Sequence, residues 1–329
     1  MDSRAITDTI MKNLRTKGHY YCKPHCFLHN AGKAMDRAEY EKRAFNNPPR
    51  PEDLQVMRYL ARLDYADIYL LTMAAEAYRS ERGNSGITDS MYIKQILKKL
   101  LDIGIVHERR YVTELNVDSN GNPLTTDKTP LFYCLSGYGQ RQYKDLSLST
   151  EFLEEFLFSK SDFEIMKRLA GNYAVLKCHK DFSGRYITAA SDKFDKLGRM
   201  PIYGKFENDE HVVFFEPVFF NYDSRYVNEE EFRNQLKLRA RFIARALENA
   251  GNEKTKSLVI LVEDIDHLKE AIKAYEGTID MVERLYATSE YVLSYAYSHD
   301  KSTKNAFLKV TPAAEGKFSI IAEEPIFYH

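Results

Sequence analysis

The stretch ITDSMYIKQILKKLLDIGIVHERRYV, residues 87–112, decides the fold of the first half of this chain. Its apolar residues recur at the spacing of one helix face: Ile93, Ile96, Leu97, Leu100 and Leu101. Thr88, Asp89 or Ser90 can cap the start of such a helix. Gly104 is typical of a helix end. The pattern therefore predicts an amphipathic helix that runs to Leu101 or Ile103.

Two further helices are predicted upstream of this one, and two strands downstream. Residues 51–63 begin with a proline followed by acids, which favours a helix start. Residues 67–78 carry a second apolar stripe at helical spacing. Residues 105–115 and 130–135 have the pattern of strands, and an Asn-Gly pair between them is a strong hairpin signal.

Three helices followed by a hairpin predict a winged helix-turn-helix domain over residues 50–145. In such a domain the third helix enters the major groove of DNA, and the hairpin contacts the backbone beside it. Lysine can reach guanine edges or phosphates, and glutamine can pair with adenine. The candidate DNA contacts on the helix are Ser90, Tyr92, Lys94, Gln95, Lys98 and Lys99, and those on the hairpin are Arg109, Arg110 and Lys128.

Two alternatives stay open for this surface. A lysine-rich helix face can simply be solvated, and winged helices also serve as modules that bind other proteins. Composition favours DNA modestly, because residues 1–150 hold 22 Lys and Arg against 18 Asp and Glu. Residues 151–329 hold 25 against 30, so the positive excess lies in the half that carries the predicted winged helix.

Short motifs around the hairpin resemble those of known winged-helix proteins. They are Leu101-Asp102-Ile103-Gly104-Ile105-Val106 and Tyr133-Cys134-Leu135-Ser136-Gly137-Tyr138-Gly139. With the second half included, the chain resembles the replication-relaxation family of mobile genetic elements over roughly residues 51–297. The resemblance implies a winged helix joined to a usually degenerate domain like the PD-(D/E)XK nucleases. It also implies a regulator, or an accessory factor for the replication or conjugative transfer of a plasmid or another mobile element.

The second half of the chain predicts a different domain. Residues 211–220 and 257–263 are apolar enough for strands buried on both faces, and a long amphipathic helix is predicted between them at 229–250. Strands are also predicted at residues 173–177 and 291–297. Strands that alternate with helices predict an α/β domain with a mixed sheet, resembling a restriction endonuclease, so the fold class of the whole chain is α+β.

A PD-(D/E)XK nuclease needs an aspartate on one strand and Glu-x-Lys on the next. The carboxylates hold Mg²⁺, and the lysine steadies the attacking water or the phosphate. The candidate strand carries Glu216, but Val218 stands where the lysine is required. Glu207 and Asp209 are weak candidates for the upstream acid. A scaffold without nuclease activity is therefore the first hypothesis for this domain, and a Mg²⁺-dependent nuclease that uses Glu216 is the alternative.

Glu216 is unusual in so apolar a strand, because a buried carboxylate needs a partner. Arg239 or Arg241 on the following helix could pair with it structurally. Lys237 on the same helix could instead replace the missing nuclease lysine.

Five potential metal ligands lie within eleven residues near the N-terminus: His19, Cys22, His25, Cys26 and His29. Thiolates and imidazoles are zinc ligands, and four of them could close a tetrahedral site. In a helix, Cys22, Cys26 and His29 would share a face, although Pro24 argues against a helix there. A structural zinc ion is one hypothesis and a chance enrichment of Cys and His is the other. No other cofactor is predicted.

Residues 1–49 are predicted to form a polar leader, followed by domains at residues 50–145 and 150–329. The chain has no apolar signal region and no run of the ~20 apolar residues that a membrane span requires. Four cysteines in 329 residues favour a cytoplasmic protein with reduced thiols. The expected partners are double-stranded DNA, a second copy of the chain in a homodimer, and a protein bound through the C-terminal domain.

Overall fold

The computed structural model divides into two compact units. We call His25–Ile165 the helix–hairpin unit, and Met1–Pro24 with Met166–His329 the sheet unit. The structure describes residues 3–14, 20, 26–30, 35–79, 89–113, 131–146, 162–182, 185–187, 190–194, 198–218, 229–251, 253–262, 268, 271–273, 275, 284–312 and 318–328. The segment predicted as a leader is thus shared between the two units.

The described helices are α1 (Ser3–Asn13), α2 (Arg37–Asn46), α3 (Pro51–Leu63), α4 (Ile68–Arg79), α5 (Ser90–Asp102), α6 (Gly137–Leu146), α7 (Asp162–Cys178), α8 (Glu229–Asn249) and α9 (Glu290–Asp300). The described strands are β1 (Cys26–Asn30), β2 (Val106–Thr113), β3 (Leu131–Leu135), β4 (Arg185–Ile187), β5 (Ala190–Phe194), β6 (Gly198–Ile202), β7 (Gly204–Glu207), β8 (His211–Val218), β9 (Thr255–Val262), β10 (Arg284–Thr288), β11 (Leu308–Pro312) and β12 (Phe318–Ala322). The fold class is α+β, as predicted.

Helix α5 forms where the opening stretch of sequence predicts it. The Asp89 carboxylate accepts a hydrogen bond of 2.8 Å from the Met91 N–H and so caps the helix start. Four residues of the predicted apolar stripe, Ile93, Ile96, Leu97 and Leu100, are buried where α5 packs on α3, α4 and β2, and Leu101 is partly exposed. Gly104 follows the helix with φ of +79°, a conformation that glycine adopts at little cost. Both ends and the buried face of α5 are therefore set by local sequence.

The strands of the helix–hairpin unit form an antiparallel sheet in the order β1-β2-β3. Ala66, between α3 and α4, joins this sheet through two backbone hydrogen bonds with Tyr133 on β3, of 3.0 and 2.8 Å. The chain reaches that position through a tight turn at Asp64, whose φ is +65°. There the Tyr65 N–H donates to the Leu63 carbonyl at 2.7 Å. The link between α3 and α4 is thereby fixed to the hairpin.

The sheet unit contains a seven-stranded mixed sheet among its described residues. Its order is β12-β11-β10-β9-β8-β7-β4, in which β8, β9 and β10 are parallel and the other neighbours are antiparallel. Every residue of β8 is buried, as expected for a strand covered on both faces. Strands β5 and β6 pair separately as a two-stranded ribbon.

Residues before Pro24 belong to the sheet unit because α1 packs on β12 and α9. The Thr7 hydroxyl accepts a hydrogen bond of 2.9 Å from the Ala322 N–H on β12. The Tyr20 N–H donates to the Glu290 carboxylate at 2.8 Å. These contacts hold the N-terminal segment against the C-terminal part of the chain within the same unit.

Two predicted strands are wrong. Residues 173–177 lie inside α7, where residues 171–178 are all buried. A short run that is apolar throughout does not distinguish a strand from a buried helix by its periodicity. Residues 291–297 lie inside α9, which begins at a cap in which the Ser289 hydroxyl accepts a hydrogen bond of 3.2 Å from the Val292 N–H. The tyrosines of that segment favour strand, but the cap and tertiary burial decide for helix.

None of the helices that the structure describes is both long enough and apolar enough to cross a membrane.

Candidate nucleic-acid interface

The solvent face of α5 carries five of the six predicted DNA contacts of this helix as exposed side chains. They are Ser90, Tyr92, Lys94, Gln95 and Lys98. Lys94 and Lys98 are one helical turn apart, and neither forms an ion pair with another described residue. Met91, which is 59% exposed, lies at the start of this face and was not among the predicted contacts. Two cations that no described acid pairs with, and one amide, are thus presented to solvent on one helix.

Lys99 differs from its neighbour Lys98, because it is held by α3. Its ammonium group forms an ion pair with the Asp53 carboxylate and donates a hydrogen bond of 3.1 Å to the Pro48 carbonyl. Asp53 is 3% exposed and also accepts a hydrogen bond of 2.7 Å from the Arg50 N–H. Lys99 therefore serves the packing of α5 on α3.

The two predicted arginines of the hairpin are consecutive residues of β2, so their side chains point to opposite faces of the sheet, and both are partly buried. The Arg109 guanidinium lies 5.6 Å from the centre of the Tyr65 ring. Arg110 is 3.3 Å from the Glu108 carboxylate. Lys128, the third predicted contact of the hairpin, lies outside the described residues.

Helix α2 supports the C-terminal end of α5. The Arg43 guanidinium donates a hydrogen bond of 2.7 Å to the Asp102 carbonyl, which closes an open end of α5. Tyr40 stacks on Tyr138 with ring centres 4.3 Å apart, and its hydroxyl donates to Gln142 at 2.7 Å. A helix predicted as part of a leader therefore helps to position the candidate interface. Its polar sequence gave no sign of this role.

In the sheet unit, Glu216 and Arg239 form a buried ion pair. The Nε atom of Arg239 lies 2.6 Å from Oε1 of Glu216, and Nη2 lies 2.8 Å from Oε2. The Tyr275 hydroxyl donates a third hydrogen bond of 3.1 Å to Oε1. The guanidinium also lies 4.7 Å from the centre of the Tyr203 ring and 4.9 Å from that of Phe242. This confirms the prediction that Arg239 or Arg241 pairs with Glu216, and it assigns the role to Arg239.

The electrostatics of this cluster follow from burial and from the pairing. Burial disfavours the charged form of Arg239, but the Glu216 carboxylate outweighs that effect and raises the pKa of the guanidinium. Burial, reinforced by the same carboxylate, raises the pKa of the Tyr275 hydroxyl well above its ordinary value. Arg239 is therefore a permanent cation here, and Tyr275 is a neutral donor.

The structure does not bring together the acids predicted for a nuclease. Glu207 pairs with Val212 on β8, four residues before Glu216, which separates the two carboxylates by roughly 13 Å along the strand. Glu207 forms ion pairs of 2.9 Å with Lys205 and with Lys254. Although burial opposes it, these two lysines lower the pKa of Glu207. Asp209 is exposed in the turn that follows β7.

The strands beside Glu216 supply no second metal-binding carboxylate at its level. On β9 its register partner is Ile260. On the other side, Gly204 pairs with Phe215, and Tyr203 comes next. Lys237 is exposed on α8, whereas Arg239 contacts Glu216 from the buried face of that helix. Lys237 therefore does not stand in for the lysine of a nuclease site.

The predicted zinc ligands lie largely outside the described residues, namely His19, Cys22 and His25. Cys26 and His29 belong to strand β1, where they are register partners of Thr113 and Arg110. The helix in which Cys22, Cys26 and His29 would share a face is thus absent from residues 26–30. No group of three or more metal-binding side chains occurs in the described part of the chain. Structural zinc stays a prediction.

The two cysteines whose side chains are described, Cys134 and Cys178, are buried free thiols. Burial raises the pKa of Cys134 to about 11 and that of Cys178 to about 12. Both thiols therefore stay protonated and unreactive at neutral pH.

Comparison of the chain with protein families, with curated proteins and with solved structures finds no match.

Proposed function

We propose that the protein binds double-stranded DNA through the solvent face of α5. The observation that carries the proposal is the contrast between adjacent lysines. The Lys99 ammonium group forms an ion pair with Asp53. Lys98 and Lys94 are exposed and form no ion pair with another described residue. Unpaired cations on one helix face create a positive potential that attracts a polyanion.

The order of elements around α5 supports a winged-helix mode of binding. Helices α3, α4 and α5 precede the β2–β3 hairpin, and Ala66 adds a backbone bridge to β3. In this mode α5 enters the major groove, and the hairpin faces the phosphate backbone beside it. The resemblance of the surrounding sequence motifs to winged helices points the same way.

The side chains of the face suit different parts of a duplex. Gln95 has the amide that pairs with adenine, and Lys94 and Lys98 reach guanine edges or phosphates. Met91 and Tyr92, which are 59% and 41% exposed, supply apolar surface near the helix start. Such surface fits the methyl group of thymine. These features favour binding with sequence preference.

Within the same proposal, the sheet unit is a scaffold for dimer or protein contacts. The occupation of both Glu216 carboxylate oxygens by Arg239 and Tyr275 favours a scaffold over a Mg²⁺-dependent nuclease. The resemblance to the replication-relaxation family adds the biological setting. In that setting the chain is a regulator of transcription, or an accessory factor in replication or transfer of a plasmid or another mobile element.

Selection of bound fragments from the DNA of the source organism tests this function and identifies the target at once. The full chain is incubated with sheared DNA, and the retained fragments are sequenced. Enrichment of a defined site, reproduced with a short duplex that contains it, supports the proposal. Absence of any bound duplex even at low salt contradicts it, and points instead to a winged helix that binds another protein.

A further inference from the structure

We propose that α8 of the sheet unit carries a second nucleic-acid contact, which binds the phosphate backbone of duplex DNA without reading its bases. The choice of DNA as the ligand rests on the proposed function, whereas the surface is independent of α5.

The surface is a stripe of three cations, Lys237, Arg241 and Arg245, spaced four residues apart along α8. All three are exposed. Four residues rise about 6 Å along a helix and turn slightly more than once around it, so the three side chains follow one face over about 12 Å. None of the three forms an ion pair with another described residue. The stripe therefore presents to solvent a positive charge that no described acid neutralises through an ion pair.

The fold of the sheet unit does not require these charges. Among the described cations of α8, Arg239 is the one that faces inward, where Glu216 neutralises it. Like charges one turn apart repel each other and destabilise a helix slightly. Among the side chains of α8 that the structure describes, the exposed acids are Glu230 and Glu248, which lie beyond the two ends of the stripe. The three cations thus cost the isolated protein a little stability, which a ligand would offset.

The local charge also contrasts with its surroundings in the sequence. Residues 151–329 hold five more acidic than basic residues, yet the stripe contains no acid from Lys237 to Arg245. A local cationic strip in an acidic half is suited to a polyanion that meets the protein along a line. Two of the three cations are arginines, whose planar guanidinium forks bind phosphate oxygens with two hydrogen bonds.

The convex face of a helix has no recess for a base, so contact is expected with backbone phosphates alone. Phosphate contacts release counterions, and each contact adds about 0.9 to the slope of log affinity against log salt concentration. Three contacts are therefore expected to add about 2.7 to that slope, which is a measurable difference.

The test measures binding of the full chain to a labelled duplex of arbitrary sequence by fluorescence anisotropy, between about 50 and 200 mM salt. The triple variant Lys237→Ala/Arg241→Ala/Arg245→Ala is expected to lower the slope by about 2.7, and to weaken binding roughly 500-fold near 0.1 M salt. The matched control, Lys237→Arg/Arg241→Lys/Arg245→Lys, keeps the charges and should keep the slope. Thermal unfolding verifies that each variant is folded.

A second arm separates this inference from the proposed role of α5. The variant Lys94→Ala/Lys98→Ala is measured on the same duplex. If the α8 variant weakens DNA binding and the α5 variant does not, the DNA contact of the stripe is supported and the proposed role of α5 is contradicted. If only the α5 variant weakens binding, the stripe is rejected as a DNA contact. An α8 variant that changes the oligomeric state but not DNA binding also overturns the inference, because the ligand of the stripe would then be a second copy of the chain.

Discussion

The Glu216 carboxylate on β8 receives both a 2.6 Å and a 2.8 Å hydrogen bond from the Arg239 guanidinium on α8, where the two side chains are 1% and 9% exposed. Tyr275 completes the coordination of the carboxylate from a third part of the chain. This pairing explains why a charged residue is tolerated in a strand whose residues are all buried. It links β8 to the helix that crosses to β9.

Breaking this pair should destabilise the sheet unit strongly. Glu216→Gln leaves Arg239 charged and buried without a counter-ion, so we expect the free energy of unfolding to fall by about 3–5 kcal/mol in denaturant titrations. Arg241→Met, which removes an exposed cation from the same helix, should change it by less than about 0.5 kcal/mol. The double variant Glu216→Leu/Arg239→Met should recover most of the loss, since it removes both charges. Equal effects of Glu216→Gln and Arg241→Met would contradict a structural role for the pair.

The adjacent lysines of α5 should separate stability from binding. Lys99→Met leaves the buried Asp53 carboxylate with only the Arg50 N–H, and should lower the unfolding free energy of the helix–hairpin unit by about 1–3 kcal/mol. Lys98→Met should leave stability within about 0.5 kcal/mol but weaken DNA binding. Unfolding curves and DNA titrations of both variants provide the measurement. A loss of stability in the Lys98 variant, with none in the Lys99 variant, would contradict the assignment of Lys99 to packing and of Lys98 to DNA binding.

Stability should decline at alkaline pH because of the buried thiols. The folded state holds the pKa of Cys178 at about 12, whereas the ordinary value of a thiol is 9.0. Above pH 9 the unfolded chain therefore loses the Cys178 proton while the folded chain keeps it, so unfolding becomes more favourable as pH rises. Cys178→Ser keeps a hydrogen-bonding group that does not titrate. The difference in unfolding free energy between the two proteins should change by about 1.4 kcal/mol per pH unit above pH 9. Parallel pH profiles would contradict the raised pKa.

No cleavage of supercoiled plasmid is expected with Mg²⁺ or Mn²⁺. Both oxygens of Glu216 are engaged, Val218 stands where a nuclease needs lysine, and no second carboxylate lies at the level of Glu216 on the neighbouring strands. Agarose gels of wild-type protein and of Glu216→Gln provide the measurement. Cleavage by the wild type that is lost in the variant would establish the nuclease alternative instead.

Local signals allowed α5 to be predicted accurately from the sequence. The Asp89 cap, the apolar stripe and Gly104 all lie within or next to α5. The residues that determine where the helix begins, which face is buried and where it ends can therefore be read from this short stretch of sequence. Nothing local distinguishes Lys98 from Lys99, since both lie outside the apolar stripe. Their different roles depend on Asp53, which is 46 residues away in sequence and is brought near by the packing of α3.

The sheet unit was predicted less well because its strands are specified by tertiary contacts. Strands β8 and β9 are apolar runs long enough to recognise, whereas β10 and β12 were not predicted and become strands through pairing with β9 and β11. The pairing of Glu216 with an arginine of the next helix was predicted from the cost of burying a charge. The choice of Arg239 over Arg241 depends on which side of α8 faces the sheet.

The most direct test of the central claim is the affinity of the full chain for its selected duplex, with and without Lys94 and Lys98. We expect Lys94→Ala/Lys98→Ala to unfold like the wild type, to bind the duplex about tenfold or more weakly, and to show a slope against salt reduced by about 1–2. Affinity and slope identical to those of the wild type, in a folded variant, would contradict the assignment of α5 as the DNA-binding face.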